Sequence, residues 1–132
     1  MEAEANQIAE RLRSAERVGV YCHIDADGIT GGAIASEALS RAGIAHEVAF
    51  LKKLDEASIQ VIRREAPPVA WFVDFGAGQL HHMEGLDAVI TDHHVPTDRD
   101  ILREHRRDLV RFAEDEDRPR PHAEPAHGGG GL

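Results

Sequence analysis

His23, Asp25 and Asp27 occupy alternate positions just after the apolar run Val18 to Cys22. On an extended backbone alternate side chains share a face, so one imidazole and two carboxylates would converge. No basic residue stands among them, and three hard donors in a small space ask for a divalent cation. The same pattern returns twice. Val69 to Val73 is an apolar run ended by Asp74, and Ala88 to Thr91 is another, ended by Asp92, His93 and His94. The seven donors at these three ends exceed what one ion of ordinary coordination takes. Two ions about 3.5–4 Å apart, bridged by a carboxylate, would accommodate them and form the usual clamp for in-line attack on a phosphorus ester. Mixed carboxylate and imidazole ligands suit manganese, zinc or iron better than calcium.

Such convergence requires a particular arrangement of elements. The apolar runs at 18–22, 46–51, 69–73 and 88–91 read as short strands. Between them lie helical patterns. Residues 2–16 carry Ala5, Ile8, Ala9 and Leu12 on one face, and Thr30 to Ala42 carries Ala33, Ile34, Ala38 and Leu39 before ending at Gly43. Asp55 is placed as the N-cap of a helix bearing Ile59 and Ile62, closed by Pro67 and Pro68. Leu80 to Met83 suggests a short helical piece, and Thr97 with Asp100 resembles a capping box opening a helix to about Phe112. Helices alternating with short buried strands predict an α/β domain, a parallel sheet flanked by helices. In such a sheet the carboxyl ends of the strands share one edge, where ligands bind. From Glu114 the character changes to an acidic run, prolines and Gly128 to Gly131, which predicts a disordered C-terminal tail. The expected organisation is one domain over 1–113 and a tail over 114–132.

His23-Ile-Asp25-Ala-Asp27-Gly28, Asp74 and Asp92-His93-His94 resemble the first three motifs of the DHH phosphoesterase superfamily, and most of all archaeal RecJ-like proteins. Its members include RecJ-type single-strand exonucleases, nano-RNases, cyclic dinucleotide phosphodiesterases and family II pyrophosphatases. The resemblance covers roughly residues 15 to 112. It implies a DHH-type domain with two manganese ions, magnesium being the alternative. His23 and Asp25 would bind one ion, Asp27 and His93 the other, and Asp74 would bridge them. Asp92 and His94 are then the catalytic pair, Asp92 supporting the site and His94 facing the scissile phosphate. The implied reaction is phosphodiester hydrolysis on single-stranded DNA, RNA or a short oligonucleotide. Archaeal RecJ relatives associate with replicative helicase components, so replication and repair proteins are the implied partners.

The family's fourth motif, an Asn-Pro-His phrase followed by a glycine-flanked aspartate, has no counterpart. Arg120-Pro121-His122 has no aspartate after it, and no histidine follows Gly128 to Gly131 as in the Gly-Gly-Gly-His phrase of the family's second domain. The resemblance is thus to the amino-terminal part of a longer enzyme. The competing reading is a catalytically inactive DHH domain serving as a binding module, or a gene fragment.

Other readings of the same residues fare worse. An EF-hand from His23 would place Ile34 where a bidentate glutamate belongs. Gly28, Gly31 and Gly32 are not a Walker loop, since no Lys-Ser/Thr follows; they read as a tight turn and close helix packing. A haloacid-dehalogenase-type phosphatase, with paired aspartates as nucleophile and acid, would leave Asp92, His93 and His94 without a role. His46, His81, His82 and His105 read as structural or exposed, Cys22 as a small core residue, and Trp71 and Phe72 as core aromatics.

Acidic residues number 24 against 15 basic ones, giving a net charge of −9, and Lys52 and Lys53 are the only lysines. This balance argues against indiscriminate duplex binding, which needs a basic surface. An acidic, arginine-rich and lysine-poor composition points to a halophilic source. The single cysteine excludes an internal disulfide framework and suits the cytoplasm. No stretch reaches the apolar length of a membrane span, and the amino terminus lacks a signal peptide's basic start.

Overall fold

Four parallel strands form the sheet seen in the computed structural model, which describes residues 2–94. In chain order the elements are helix α1 (Glu2–Arg13), strand β1 (Arg17–His23), α2 (Ala26–Arg41), β2 (Ala45–Leu51), α3 (Glu56–Glu65), β3 (Val69–Val73), a short 3-10 helix (Leu80–His82) and β4 (Ala88–Thr91). The strand order is β2-β1-β3-β4, and every pairing is parallel. The α/β architecture expected from the alternation of elements is the observed one. The predicted helix from Thr97 to about Phe112, the domain limit at 113 and the tail 114–132 lie outside the described residues.

Parallel strands inside a doubly covered sheet are apolar on both faces. β1 and β3 obey this: Val18, Val20, Cys22, Val69 and Phe72 are fully buried, and the apolar runs of the sequence mark the strands closely. One face of the sheet presents Val18, Val20, Cys22, Val69 and Val73 to α1 and α2, where Ile8, Leu12, Ala35 and Leu39 fill the core. The other face presents Tyr21, Ala70, Phe72 and Ile90 to α3 and the 3-10 helix, against Ile59, Ile62, Leu80 and Met83. β2 lies at the sheet's edge and alternates in burial accordingly.

The helix ends follow local chemistry. Asp55 caps α3 in a reciprocal box with Ser58, as its sequence position predicts, and Ala66 closes the helix in the left-handed region with φ 45°. Arg11 of α1 donates from Nε to Asp87 Oδ1 at 3.1 Å, tying the first helix to the approach of β4.

α2 departs from expectation. It begins at Ala26, not Thr30, because the Asp25 carboxylate accepts from the Gly28 backbone N–H at 2.8 Å and caps the helix there. The three glycines are not a turn; they lie in the first two turns of the helix. A Cβ on Gly28 would stand 1.9 Å from the His23 carbonyl oxygen, and one on Gly32 would stand 2.6 Å from Cys22 Sγ. Their absence lets the helix start directly on the end of β1. The buried stripe is therefore Gly28, Gly32, Ala35 and Leu39, while Ile34, expected in the core, is 67% exposed.

No helix among the described residues is long and apolar enough to cross a membrane.

Candidate metal centre

β1, β3 and β4 run parallel and end at one edge of the sheet, and the donors that follow them meet there. His23 is the last residue of β1. Its Nε2 lies 3.2 Å from the Lys52 carbonyl, which can only accept, so this nitrogen carries the proton and donates. Nδ1 then faces carboxylates, 2.7 Å from Asp25 Oδ2 and 3.9 Å from Asp74 Oδ2. An imidazole nitrogen and two carboxylate oxygens in one place can share a proton or hold a cation. A histidine whose second ring nitrogen is bound to a backbone carbonyl is also the usual setting of a metal-ligating imidazole.

Asp74 is the centre of the arrangement. It ends β3 with φ 66°, in the left-handed region that few non-glycine residues adopt but aspartate tolerates. Its backbone N–H still bonds Thr91 O at 2.9 Å, extending the β3–β4 ladder by one step. The side chain is buried; Oδ1 lies 2.9 Å from His93 Nε2, and Oδ2 is buried with no hydrogen-bond partner. Burial, then the neighbouring Asp25 carboxylate, push its pKa up, while the histidines His93 and His94 oppose the shift. Asp25 moves the other way. The Gly28 amide, foremost, holds its carboxyl below the usual range.

Asp92 and His94 behave differently. Asp92 is buried, and both of its oxygens are engaged: Oδ2 accepts from the Ala77 N–H at 3.1 Å, and Oδ1 accepts from the backbone and ring of His94 at 3.1 and 2.5 Å. The hydrogen bond that the His94 ring donates to Asp92 raises the pKa of His94 above the ordinary imidazole value. His93 and His94 are exposed and their rings lie 4.3 Å apart.

The donor atoms fall into two groups that share Asp74. His23, Asp25 and Asp74 form one, and Asp74, Asp92, His93 and His94 the other, the donor atoms of each lying within 4.8 Å of one another. This donor set fits a divalent metal, and the orphaned Asp74 oxygen is the group that fits it best. Asp27 is in neither group. The extended face that would have carried it ends at Asp25, and Asp27 sits exposed on the first turn of α2.

A pocket of about 420 Å³ opens at the donors, with His23, Asp74, Asp92 and His94 in its lining. Its lining also includes Lys52 and Lys53, to which motif and spacing alone assign no part in the site. The available signal is positional: both lysines follow β2, at the same sheet edge as the acidic strand ends.

Outside the site, His46 bonds Ser36 Oγ and the Ile44 carbonyl, both at 2.8 Å, and serves the β2–α2 packing. Cys22 is fully buried, which pushes its thiol up to about 11. Trp71 is half-buried and bonds Thr91 Oγ1 at 3.1 Å.

No protein-family model matches the chain. An uncharacterized protein of Methanocaldococcus jannaschii is 28% identical over 88 residues, which are 63% of this chain and 20% of that protein. Among solved structures, RecJ of Thermus thermophilus in complex with Mn2+ matches at TM-score 0.62 with 25% identity, over 83% of this chain and 16% of that one. An exonuclease RecJ bound to manganese matches at 0.65 with 22% identity, over 93% and 33%. CDC45 from Entamoeba histolytica matches at 0.67 with 15% identity, over 86% and 25%. The chain thus shares the fold of RecJ and CDC45 and spans between a sixth and a third of the length of these structures.

Proposed function

We propose that the chain is a manganese-dependent phosphoesterase domain of RecJ-like type, hydrolysing phosphodiester bonds of single-stranded nucleic acid or short oligonucleotides. Asp74 carries the reading. A buried carboxylate with one oxygen toward His93 and a second, unpartnered oxygen on the side of His23 is poorly placed for folding and well placed to join two ions. His23, Asp25 and Asp74 would hold the first ion, and Asp74, His93 and Asp27 the second. Magnesium is the alternative metal. Divalent ions in such a site supply Lewis acidity toward a phosphorus ester and a nucleophilic water at neutral pH. His94, held by Asp92 and biased toward its protonated form, would bond the scissile phosphate and deliver a proton to the leaving oxygen.

Turnover of a short single strand with manganese tests this. Asp74→Ala is expected to abolish it, and retained turnover would overturn the bridging role.

The second reading is a binding module without turnover, working beside replication or repair proteins. The CDC45 likeness favours it, since the fold also occurs in a protein whose name is not that of a nuclease. Calorimetric titration with manganese separates the two: two tight sites support the enzyme, and one weak site or none supports the module.

A further inference from the structure

β2 and β4 are the two edges of the sheet, and they differ. β4 is 4 residues long, whereas β2 has 7, as many as β1. Natural edge strands are guarded against pairing with another chain by shortness, lysine, proline or a bulge. β2 reads Ala-His-Glu-Val-Ala-Phe-Leu, with no lysine and no proline, and Glu47 is its one carboxylate. We propose that β2 pairs antiparallel with the β2 of a second copy of this chain, across a twofold axis at Val48, joining the two sheets into one. Neither a metal nor phosphoesterase activity is needed for this contact.

The backbone sets the register. The Ile24 N–H bonds the Leu51 carbonyl at 3.0 Å, so Leu51 turns its backbone groups toward β1. That direction alternates along a strand. Ala45, Glu47 and Ala49 therefore face β1 as well, and His46, Val48 and Phe50 face outward. No group among the described residues takes up the N–H groups and carbonyls of these three. They are centred on Val48. A twofold-related copy sets His46 opposite the second copy's Phe50 and Val48 opposite Val48, and each such pair exchanges both of its hydrogen bonds.

The side chains of the same three residues lie on the α2 face. His46 bonds Ser36 of α2 at 2.8 Å, Val48 packs against the core beneath that helix, and a Cβ on Gly32 would meet Phe50 Cε1 at 3.4 Å. Held in this way, Phe50 is still 45% exposed. Opposite the second copy's His46 it gains an aromatic neighbour, and cross-strand pairs of this kind are what stabilise a sheet.

A net charge of −9 works against self-association, so the contact must fall where charge is neutralised. Around β2 it is neutralised. Glu47 is bridged to Arg17 at 3.8 Å and Glu37 of α2 to Arg41 at 2.8 Å. The pairing sets Glu47 opposite the second copy's Ala49 and not opposite a like charge. The chain leaves the described residues at His94, beyond β4, so its continuation starts at the other edge of the sheet, about 14 Å from β2 at the usual strand spacing. Because the joined strands are antiparallel, the two carboxyl edges point in opposite directions and both donor clusters stay open.

Sedimentation equilibrium of the full chain, in metal-free buffer over a range of concentrations, is expected to show a monomer–dimer equilibrium. Raising the salt from about 0.1 to 1 M should tighten it by screening the net charge. Phe50→Lys puts a guard on the edge and should raise the dimer Kd about tenfold or more, whereas Phe50→Tyr should stay within about twofold. Val48→Pro removes an outward donor and no bond to β1, and should act as Phe50→Lys does. Circular dichroism shows whether each variant is folded. Cys22 is fully buried, so Glu47→Cys offers one reactive thiol, which a short bismaleimide should join to a second copy; Glu10→Cys, exposed on α1, should not be joined. A chain that stays monomeric at every concentration would overturn the proposal, whether its own residues after 94, another protein or nothing covers the edge. A dimer left intact by folded Phe50→Lys and Val48→Pro would overturn it too. Should both variants fail to fold, crosslinking of Glu10→Cys as readily as Glu47→Cys would do the same.

Discussion

Asp92 grips His94 twice, through its backbone N–H at 3.1 Å and its ring Nδ1 at 2.5 Å, and does so with a single oxygen. The other oxygen of Asp92 is anchored on the Ala77 N–H in the loop after β3. Asp74, at the end of that strand, leaves one of its oxygens without a hydrogen bond. Two buried aspartates at one sheet edge thus differ: Asp92 fixes the orientation of an imidazole, and Asp74 keeps a buried oxygen that no hydrogen bond engages.

Replacing Asp92 by Asn should release His94. The hydrogen bond to a carboxylate raises the folded-state pKa of His94, so it stabilises the fold below the ordinary imidazole pKa, and this is lost as pH rises through the folded value. In Asp92→Asn, NMR titration of the metal-free protein should show the His94 pKa falling toward about 6.5. An unmoved titration would show that Asp92 does not control this ring.

Asp74 makes a prediction of the same sign for stability, from burial and not from an ion pair. Its carboxyl pKa is raised by burial, so the folded state holds the proton more tightly than the unfolded chain does. Metal-free stability should then fall as pH rises through the folded pKa of Asp74. Asp74→Asn removes the charge and retains a residue that tolerates positive φ. Metal-free Asp74→Asn should be more stable at neutral pH, by about 1 kcal/mol, yet gain nothing from manganese. The unaltered chain should gain about 2.7 kcal/mol at a hundredfold excess of ion over its Kd. Thermal melts with and without manganese check both halves, and a variant still stabilised by the ion would contradict the assignment.

The sheet and the meeting of its strand ends are legible in the sequence for one reason: buried parallel strands are continuous apolar runs, and their carboxyl ends share an edge. β3 and β4 fall where their runs predict, and β1 and β2 gain only flanking residues. The start of α2 is not legible, because its buried stripe opens with Gly28 and Gly32, which hydrophobic periodicity does not register. For the same reason the sequence places Asp27 on an extended face with Asp25. The left-handed backbone of Asp74 and the anchoring of Asp92 on Ala77 are invisible in it, since both depend on how the loops after β3 and β4 pack together.

Gly28 provides a test of that packing. Exchanging glycine for alanine inside a helix ordinarily gains roughly 0.5–1 kcal/mol. Here the added Cβ would sit 1.9 Å from the His23 carbonyl oxygen, and a backbone atom at the end of a buried strand has little room to yield. Gly28→Ala should lose about 1–3 kcal/mol or more, as overpacked sites do. Because the displaced atom belongs to His23, manganese affinity should fall with it. Urea unfolding measures the first effect and calorimetry the second; an unchanged or raised midpoint would mean that the helix does not start on β1 as described.

Asp27 decides how the second ion is held. Its carboxylate is exposed on the first turn of α2, two residues after the capping Asp25, and lies in neither donor group. A surface aspartate in the first helical turn ordinarily adds a few tenths of a kcal/mol through the helix dipole, roughly 0.3–1 kcal/mol at most. If that were its whole role, Asp27→Asn would leave manganese binding intact and lower stability only slightly. As a ligand of the second ion, it should instead reduce the calorimetric stoichiometry from two manganese ions to one. The His23, Asp25 and Asp74 site would keep its affinity within about a factor of two, since Asp27 shares no hydrogen bond with it. Two sites of undiminished affinity in Asp27→Asn would leave the second ion to Asp74, His93 and the edge of the Asp92–His94 pair alone.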